Sequence, residues 1–569
     1  MRDVARAAFV AGNFFVLAIP GLLGSTTIAF AIGTLVLILL NIAILATWRP
    51  DTRITTSDTA SGTVRKTSSS IALAAAAGLV ALGLVFVAAR AWLQQILIFP
   101  IDAQRADMLV VIEHGISRVL AGQNPYALFH VPWEATLPYG PVLWVPYLIP
   151  YVMHADIRFA AIASALFIPT VCAVCVTALA LDRRIATAAG CVLILCAIVF
   201  SPDLRGFISI AHTPSYWPLI AVYAWLVARE RWLLAALLGG VLIVARTTMV
   251  AVAPVLLLAV WHRDRRLIPK TTAVLAASVA LPFLPFAVAD FRSLEYAMYG
   301  SYQHLMKGFV WTSTTWAQNT VGVTGLLLRA GWTSLVEPTQ VVSMLVLYVV
   351  AFMRLRHGDR PVPWMAAALL AFSMTTFWPV HYIYLDVFLL LVCGVLAEYT
   401  FSRRWHRLAV SVPLCATVLA IAIAVDVSTD PIVDVRTPSN RVFLYTGFAD
   451  DERADRSFAW VDGNRAEVLL PRRSRADARI DIVCQAHLSE ASAVQDMSVS
   501  LNDTVLGTVT LRGGWQMVTL DAPARAWLYG VNRLALSFST SGPASTESDA
   551  HRDSRTRSAA VARVAVRTP

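Results

Sequence analysis

Two carboxylates, Asp102 and Asp107, stand just past the end of a long apolar run, in Ile101-Asp-Ala-Gln-Arg-Ala-Asp107. A carboxylate placed there suits a general base for an incoming hydroxyl, and equally an interfacial residue or a helix N-cap. Arg246, in Ala245-Arg-Thr-Thr248, interrupts the apolar stretch 232–261. A charge inside a membrane segment costs at least ~2.5–3.5 kcal/mol, so it marks a functional site by default. Its guanidinium suits a phosphate; the plainer reading is an arginine that snorkels to headgroups. His381, in Trp378-Pro-Val-His-Tyr382, suits a phosphate or a sugar hydroxyl, with the aromatics beside it as substrate contacts or interface anchors. Asn319 in Trp316-Ala-Gln-Asn319 suits hydroxyls, and His212, Arg205, His304 and Lys307 are further polar candidates. Such a set could take a proton from a hydroxyl and steady a leaving phosphate.

Something must bring these distant residues together. The chain has 569 residues, 57% of them hydrophobic and only 14% charged, against about 25% charged in soluble domains. Its mean hydropathy is +0.64. Apolar stretches of roughly the ~20 residues a membrane helix needs alternate with short basic clusters. Spans are expected near 8–23, 27–47, 71–97, 158–181, 185–201, 214–228, 232–245, 248–261, 270–289, 340–353, 361–378, 381–400 and 408–425, about thirteen in all.

The loops set the expected topology. With the N-terminus cytoplasmic, one side collects Arg49, Arg53, Arg65 and Lys66, then Arg183–Arg184, Arg229 with Arg231, Arg263–Lys270, Arg354–Arg360 and Arg403–Arg407. That is the positive-inside pattern. It requires that 139–153, which holds Pro141, Pro146 and Pro150, not span as a straight helix. An in-plane or re-entrant segment fits better. The longer segments 98–157, 202–213 and 290–339 then share the outer side, where the chemistry is expected. The net charge of +10 follows from these loops and does not call for nucleic acid.

Six of the seven cysteines lie in apolar segments. Cys172-x-x-Cys175 has no second pair or neighbouring histidines and reads as small buried helix residues. No outer cluster of carboxylates is spaced like a Mg²⁺ or Ca²⁺ site, and no cofactor is expected. Residues 1–428 thus read as a multi-spanning membrane domain, and 429–569 as an extracytoplasmic all-β sandwich or jelly roll. Strands are expected at Ala466–Leu470, Ala478–Cys484, Met497–Leu501, Val505–Leu511, Trp515–Leu520 and Arg533–Phe538. Turns are expected at Asn502-Asp503 and Gly513-Gly514, and a polar loop at Ser541–Arg557.

Over roughly 71–400 the order of motifs resembles the GT-C glycosyltransferases, and most closely the bacterial polyprenol-phosphate-mannose-dependent mannosyltransferases of glycosyltransferase family 87. Asp107, Gly122 with Tyr126, and Tyr139-Gly-Pro141 follow one another as that family's aspartate, Gly-x-x-x-Tyr and Tyr-Pro-Pro elements do, with Gly140 in place of proline. Arg246-Thr-Thr stands where the family often has lysine and Thr-Pro, and Trp378 to Tyr382 is similar to its late Trp-x-His-Tyr element. The resemblance implies a membrane enzyme at the cell envelope. Its donor would be a polyprenyl monophosphate sugar such as the mannose conjugate, and its acceptor a glycan or glycolipid. It favours Asp107 over Asp102 as base, Arg246 with His381 at the donor phosphate, and Tyr126, Tyr139, His212, Asn319 and Tyr382 around the substrates. It implies inversion at the sugar carbon. Gly447-Phe448, Ser457–Trp460 and Ala466–Pro471 resemble galactose-binding-like β-sandwiches, in which Trp460, Trp515 or Trp527 would stack on the acceptor glycan. Three alternatives stay open at this stage: transfer of another lipid-linked sugar such as arabinofuranose, a lipid-linked-glycan flippase, and a non-catalytic glycan-binding scaffold.

Overall fold

The structure, a computed structural model, describes residues 2–48, 68–98, 101, 106–130, 134–153, 156–210, 214–312, 319–398, 432–436, 443–449, 457–472, 474–488, 494–528, 530–543 and 556–568. The chain divides into two compact units. One gathers Met1–Trp92, Asp102–Ile149 and Ala160–Ala420; the other gathers Leu93–Ile101, Pro150–Phe159 and Ile421–Pro569.

Five described helices are long and apolar enough to cross a membrane: Thr27–Thr47, Ala72–Leu93, Arg158–Leu181, Arg265–Gly308 and Thr333–Arg356. A sixth results if Ile185–Phe200 and Pro202–Ile208, bent by 53°, form one span. The reading of thirteen counts every apolar segment. Several of those are shorter helices, among them Trp232–Ala245, Thr247–Arg263 and Pro361–Thr375. The segment at 408–425 lies outside the described residues. The proline-rich stretch is broken as expected, into Pro141–Trp144, a 3-10 turn at Val145–Tyr147, and Leu148–Val152. The region 290–339 is not the long loop that its composition suggests. The helix Ile268–Glu295 runs into it, bends at Asp290 and continues through π-helical turns at Tyr296–Gly300 and Met306–Val310.

Ion pairs tie together the loops that the charge pattern assigns to one side. Glu398 accepts from both Arg6 and Arg360 at 2.8 Å. Arg263 meets Glu230 at 3.3 Å, and Thr187 donates to Asp3 at 3.0 Å. Helices starting from that end carry their far ends to the other face of the unit. The helix Trp232–Ala245 rises about 21 Å at 1.5 Å per residue, from Arg231 to Arg246. It packs tightly on Ile268–Glu295, because a Cβ on Gly240 would lie 2.7 Å from the Leu275 carbonyl oxygen. A small residue lets two membrane helices approach this closely. The helix Ile383–Glu398 is buried at every position from Ile383 to Leu396.

The second unit contains two antiparallel sheets. Their strands are β1 (Ile432–Asp434), β2 (Leu444–Thr446), β3 (Ala459–Asp462), β4 (Arg465–Arg472), β5 (Ala478–Ala486), β6 (Gln495–Leu501), β7 (Thr504–Leu511), β8 (Trp515–Ala522), β9 (Gly530–Phe538), β10 (Gly542–Pro543) and β11 (Thr556–Arg567). The first sheet runs β1-β11-β5-β8, with β3 and β10 also paired to β11; the second runs β2-β4-β9-β6-β7. Alternate residues point inward, as period-two strands require. On β5 these are Ile480, Ile482, Cys484 and Ala486, which share one core with Val468, Leu501, Leu536 and Val561. All six expected strands are present. Asn502 and Asp503, both at positive φ, form the two-residue turn between β6 and β7. Burial pushes the Cys484 thiol up to about 11, so it is an inert core residue.

Candidate functional site

Helical geometry fails at Arg246. The helix Trp232–Ala245 stops there, Arg246 is extended (φ −144°, ψ 105°), and a 3-10 turn begins at Thr247. The break turns the guanidinium into the protein, where its side chain is 10% exposed. Its Nε lies 3.4 Å from Oδ2 of Asp386, whose side chain is 3% exposed. The other carboxylate oxygen of Asp386 accepts a hydrogen bond from the Tyr216 hydroxyl at 2.5 Å. The guanidinium also sits 5.3 Å from the centre of the Tyr382 ring, a cation–π distance. Tyr382 in turn stacks on Phe207 at 5.3 Å, and Phe207 on Trp217 at 6.1 Å.

Tyr126 and the segment 138–144 form the facing wall. Gly140 packs so closely against Val244 that a Cβ there would lie 1.9 Å from the Val244 carbonyl oxygen. That contact sits two residues from Arg246, and it leaves no room for a side chain at position 140. The Tyr126 hydroxyl donates to the Tyr139 carbonyl at 3.1 Å and accepts from Trp144 Nε1 at 3.3 Å. The Tyr302 hydroxyl donates to the Pro138 carbonyl at 3.2 Å, while its ring meets Trp378 edge-on at 4.6 Å. Tyr302 comes from the short helix Ser301–Leu305, where composition suggests a loop.

Asp107 is the first residue of the helix Asp107–Leu120, and its Oδ1 accepts the Met108 amide at 2.8 Å. By surface area the residue is exposed, so a substrate can reach it. Enough protein surrounds the carboxylate that desolvation still lifts its pKa above the ordinary value, with the Met108 amide opposing more weakly. Asp107 interacts electrostatically with Tyr139 and Tyr382, and Arg246 with Tyr382, Tyr302, Tyr216 and Asp386. Tyr139 and Tyr382 thus lie within electrostatic range of both the exposed carboxylate and the buried guanidinium. Such an arrangement can hold an anionic group at one end and deprotonate a hydroxyl at the other.

No family model matches the chain, and neither does any curated protein. Among solved structures it is similar to the arabinosyltransferase EmbB from Mycobacterium smegmatis, at 10% identity over 95% of this chain and 68% of that one, with a TM-score of 0.22. A superposition at that score does not establish a shared fold.

His381 sits in the bend before Ile383–Glu398, with its ring 6.0 Å from that of Tyr382. It lies within electrostatic range of Asp203, whose buried Oδ2 has no hydrogen-bond partner among the described residues. Asn319 falls elsewhere in the contact network: its Oδ1 accepts from Arg329 at 2.8 Å. Lys307 pairs with Glu337 at 2.7 Å. Asp102 and His212 lie outside the described residues.

Asp386, Asp203, Tyr216 and Tyr302 escaped the sequence reading. For Asp386 the signal was present. A carboxylate in the apolar stretch 381–400 calls for the same explanation as Arg246 in 232–261, and the opposite charges suggest that each explains the other.

In the second unit Trp527 is fully buried, with Arg472 4.4 Å from its ring centre and its Nε1 donating to Ala522 at 3.2 Å. Its faces are closed, so it cannot be the stacking platform that the sequence suggests. Trp460 on β3 pairs with Ala560 on β11, which pairs with Gln485 on β5, which pairs with Trp515 on β8. Directly opposed residues share a sheet face, so both tryptophans lie on the outer face. Phe458 lies between them, 5.3 Å from Trp460 and 5.6 Å from Trp515.

Proposed function

We propose that this chain is a membrane glycosyltransferase that moves a sugar, mannose by the motif order, from a polyprenyl monophosphate carrier to a hydroxyl of a glycan or glycolipid. The observation that carries the reading is that Tyr139 and Tyr382 lie within electrostatic range of both Asp107 and Arg246, with the Arg246 guanidinium 5.3 Å from the Tyr382 ring. In this reading the carrier phosphate meets Arg246, with His381 nearby. Asp107 takes the proton of the acceptor hydroxyl, and the hydroxyl oxygen attacks the anomeric carbon. The bond from that carbon to the phosphate oxygen breaks, and its electron pair leaves on the phosphate. Attack opposite the leaving group inverts the centre. One base and one cation suffice, because phosphate is already a good leaving group.

The same reading places the N-terminus in the cytoplasm and the site with the β-sandwich outside. The sandwich would hold the acceptor glycan against Trp460 and Trp515, where aromatic faces and the intervening Gln485 offer stacking and hydrogen bonding.

The test is release of polyprenyl phosphate by detergent-purified protein. It would be supplied with short-chain polyprenyl-phosphate mannose, the arabinofuranose analogue, and a panel of acceptors. Release by wild type and Asp102→Asn but not by Asp107→Asn is expected. Release lost only in Asp102→Asn would keep the transferase and move the base. Failure with every donor, together with carrier flipping in vesicles, would replace the enzyme with a transporter. Glycan binding that is indifferent to Asp107, without either activity, would leave a scaffold.

A further inference from the structure

We infer that Asp386 is a charge-balancing residue that makes the Arg246 site favour a phosphate monoanion over a dianion and so promotes release of the spent carrier; this rests on Arg246 as the carrier-phosphate site. Asp386 stands in the first turn of a helix buried along its length, 3.4 Å from Arg246 Nε, with Tyr216 holding its other oxygen at 2.5 Å. A buried ion pair contributes little to stability compared with apolar residues of the same shape, so its presence points to another use. Here the pair leaves the site nearly neutral. A guanidinium has five N–H donors on three nitrogens, so pairing at Nε does not exhaust it.

The reaction changes the charge of the bound phosphate. The donor is a phosphodiester with one negative charge. When the sugar–oxygen bond breaks, the electron pair stays on the phosphate oxygen and the acceptor's proton goes to Asp107. The spent carrier is then a phosphomonoester with a second negative charge. A fixed carboxylate beside the guanidinium opposes that second charge more than the first, and little water intervenes to screen it. Tyr216 tempers the effect by donating to the carboxylate. Asp386 is thus a positioning residue, acting on the phosphate through Arg246.

The experiment measures binding to the full chain in detergent. It compares a short-chain prenyl monophosphate with its methyl phosphodiester, at about pH 8, where the monoester is a dianion. Asp386→Asn is expected to tighten the monophosphate about tenfold and the diester by much less. Tyr216→Phe keeps the charge and removes the tempering donor, so its ratio should shift the other way, about twofold toward the diester. Equal factors for both ligands in Asp386→Asn would make Asp386 merely structural and overturn the inference. An unmoved ratio in Tyr216→Phe would do the same, even if Asp386→Asn does not fold. Arg246→Gln separates the two levels. If it weakens both ligands, the carrier-phosphate reading stands whatever Asp386 does. If it weakens neither, that reading and this inference fall together.

Discussion

Gly140 and Val244 touch at a point where no side chain fits: a Cβ on Gly140 would lie 1.9 Å from the Val244 carbonyl oxygen and 3.1 Å from the Phe283 ring. The backbone of Gly140 (φ −67°, ψ 159°) would accept any residue, proline included. Space alone forbids them. Gly140→Ala must therefore push the Tyr139–Pro141 wall away from the helix that ends at Arg246. We expect a loss of about 2 kcal/mol in stability and at least a tenfold fall in transfer. Thermal unfolding in detergent and the release assay check the two effects. A variant with wild-type behaviour in both would mean that this contact is not what sets the wall.

Asp107→Asn should lower transfer by about 10²–10⁴-fold, the usual range for a general base. The wild-type rate should fall as pH drops through the Asp107 pKa. Desolvation raises that value, so the acid limb should lie above the ~3.9 of a free aspartate. The linkage has the opposite sign for stability. A carboxylate that protonates more readily when folded stabilises the fold below its unfolded pKa. That contribution is lost as pH rises through the folded value. A pH–rate profile and a pH–stability series on one sample test both statements; an acid limb at the free-aspartate value would overturn the desolvation, and an acid limb that persists in Asp107→Asn would remove Asp107 as its source.

Arg246→Lys keeps the charge and discards the planar group that meets Asp386 at Nε and lies against Tyr382. An ammonium binds phosphate as a point charge and cannot reproduce two parallel hydrogen bonds. The donor KM should rise about tenfold or more, with Arg246→Gln lower still in activity. Kinetics with the donor varied distinguish these outcomes. A lysine variant equal to wild type would show that charge alone matters.

The two tryptophans of the sandwich should separate cleanly. Trp527→Ala empties a filled core position and should cost about 3–5 kcal/mol, read as loss of the β-sheet circular dichroism signal at lower temperature. Trp515, 47% exposed on the outer sheet face, should change stability by less than about 0.5 kcal/mol when replaced by alanine, while raising the acceptor KM. An unchanged acceptor KM would take Trp515 out of substrate binding.

Periodicity and loop charge made much of the architecture legible. Strand β6 shows the period most plainly, with Met497, Val499 and Leu501 inward and Ser498 and Ser500 outward, and the basic clusters named the ends that Glu398, Arg6 and Arg360 now join. β11 escaped because Thr556–Arg567 reads as basic residues among alanines, with few of the large β-branched side chains that mark a strand. It is buried by partners on several sides, which no local pattern reports. The extension of Ile268–Glu295 into Tyr302 escaped because Asp290, Arg292 and Glu295 look like loop composition. At the site, Arg246 was legible as a lone charge, whereas Tyr216 and Tyr302 are ordinary aromatics whose role depends on packing alone.

The pairing of β1 with β11 has a kinetic consequence. Ile432 meets Ala565, and β11 also supports β3, β5 and β10. The first sheet cannot close until a segment on the order of a hundred residues further along the chain has arrived. High sequence separation of this kind slows folding, because loop-closure entropy comes before any contact rewards it. Until then β5, already paired with β8 on one side, offers its other edge to other chains. This domain should therefore fold late and all at once, with its greatest exposure to aggregation in the interval before residues 556–567 are in place.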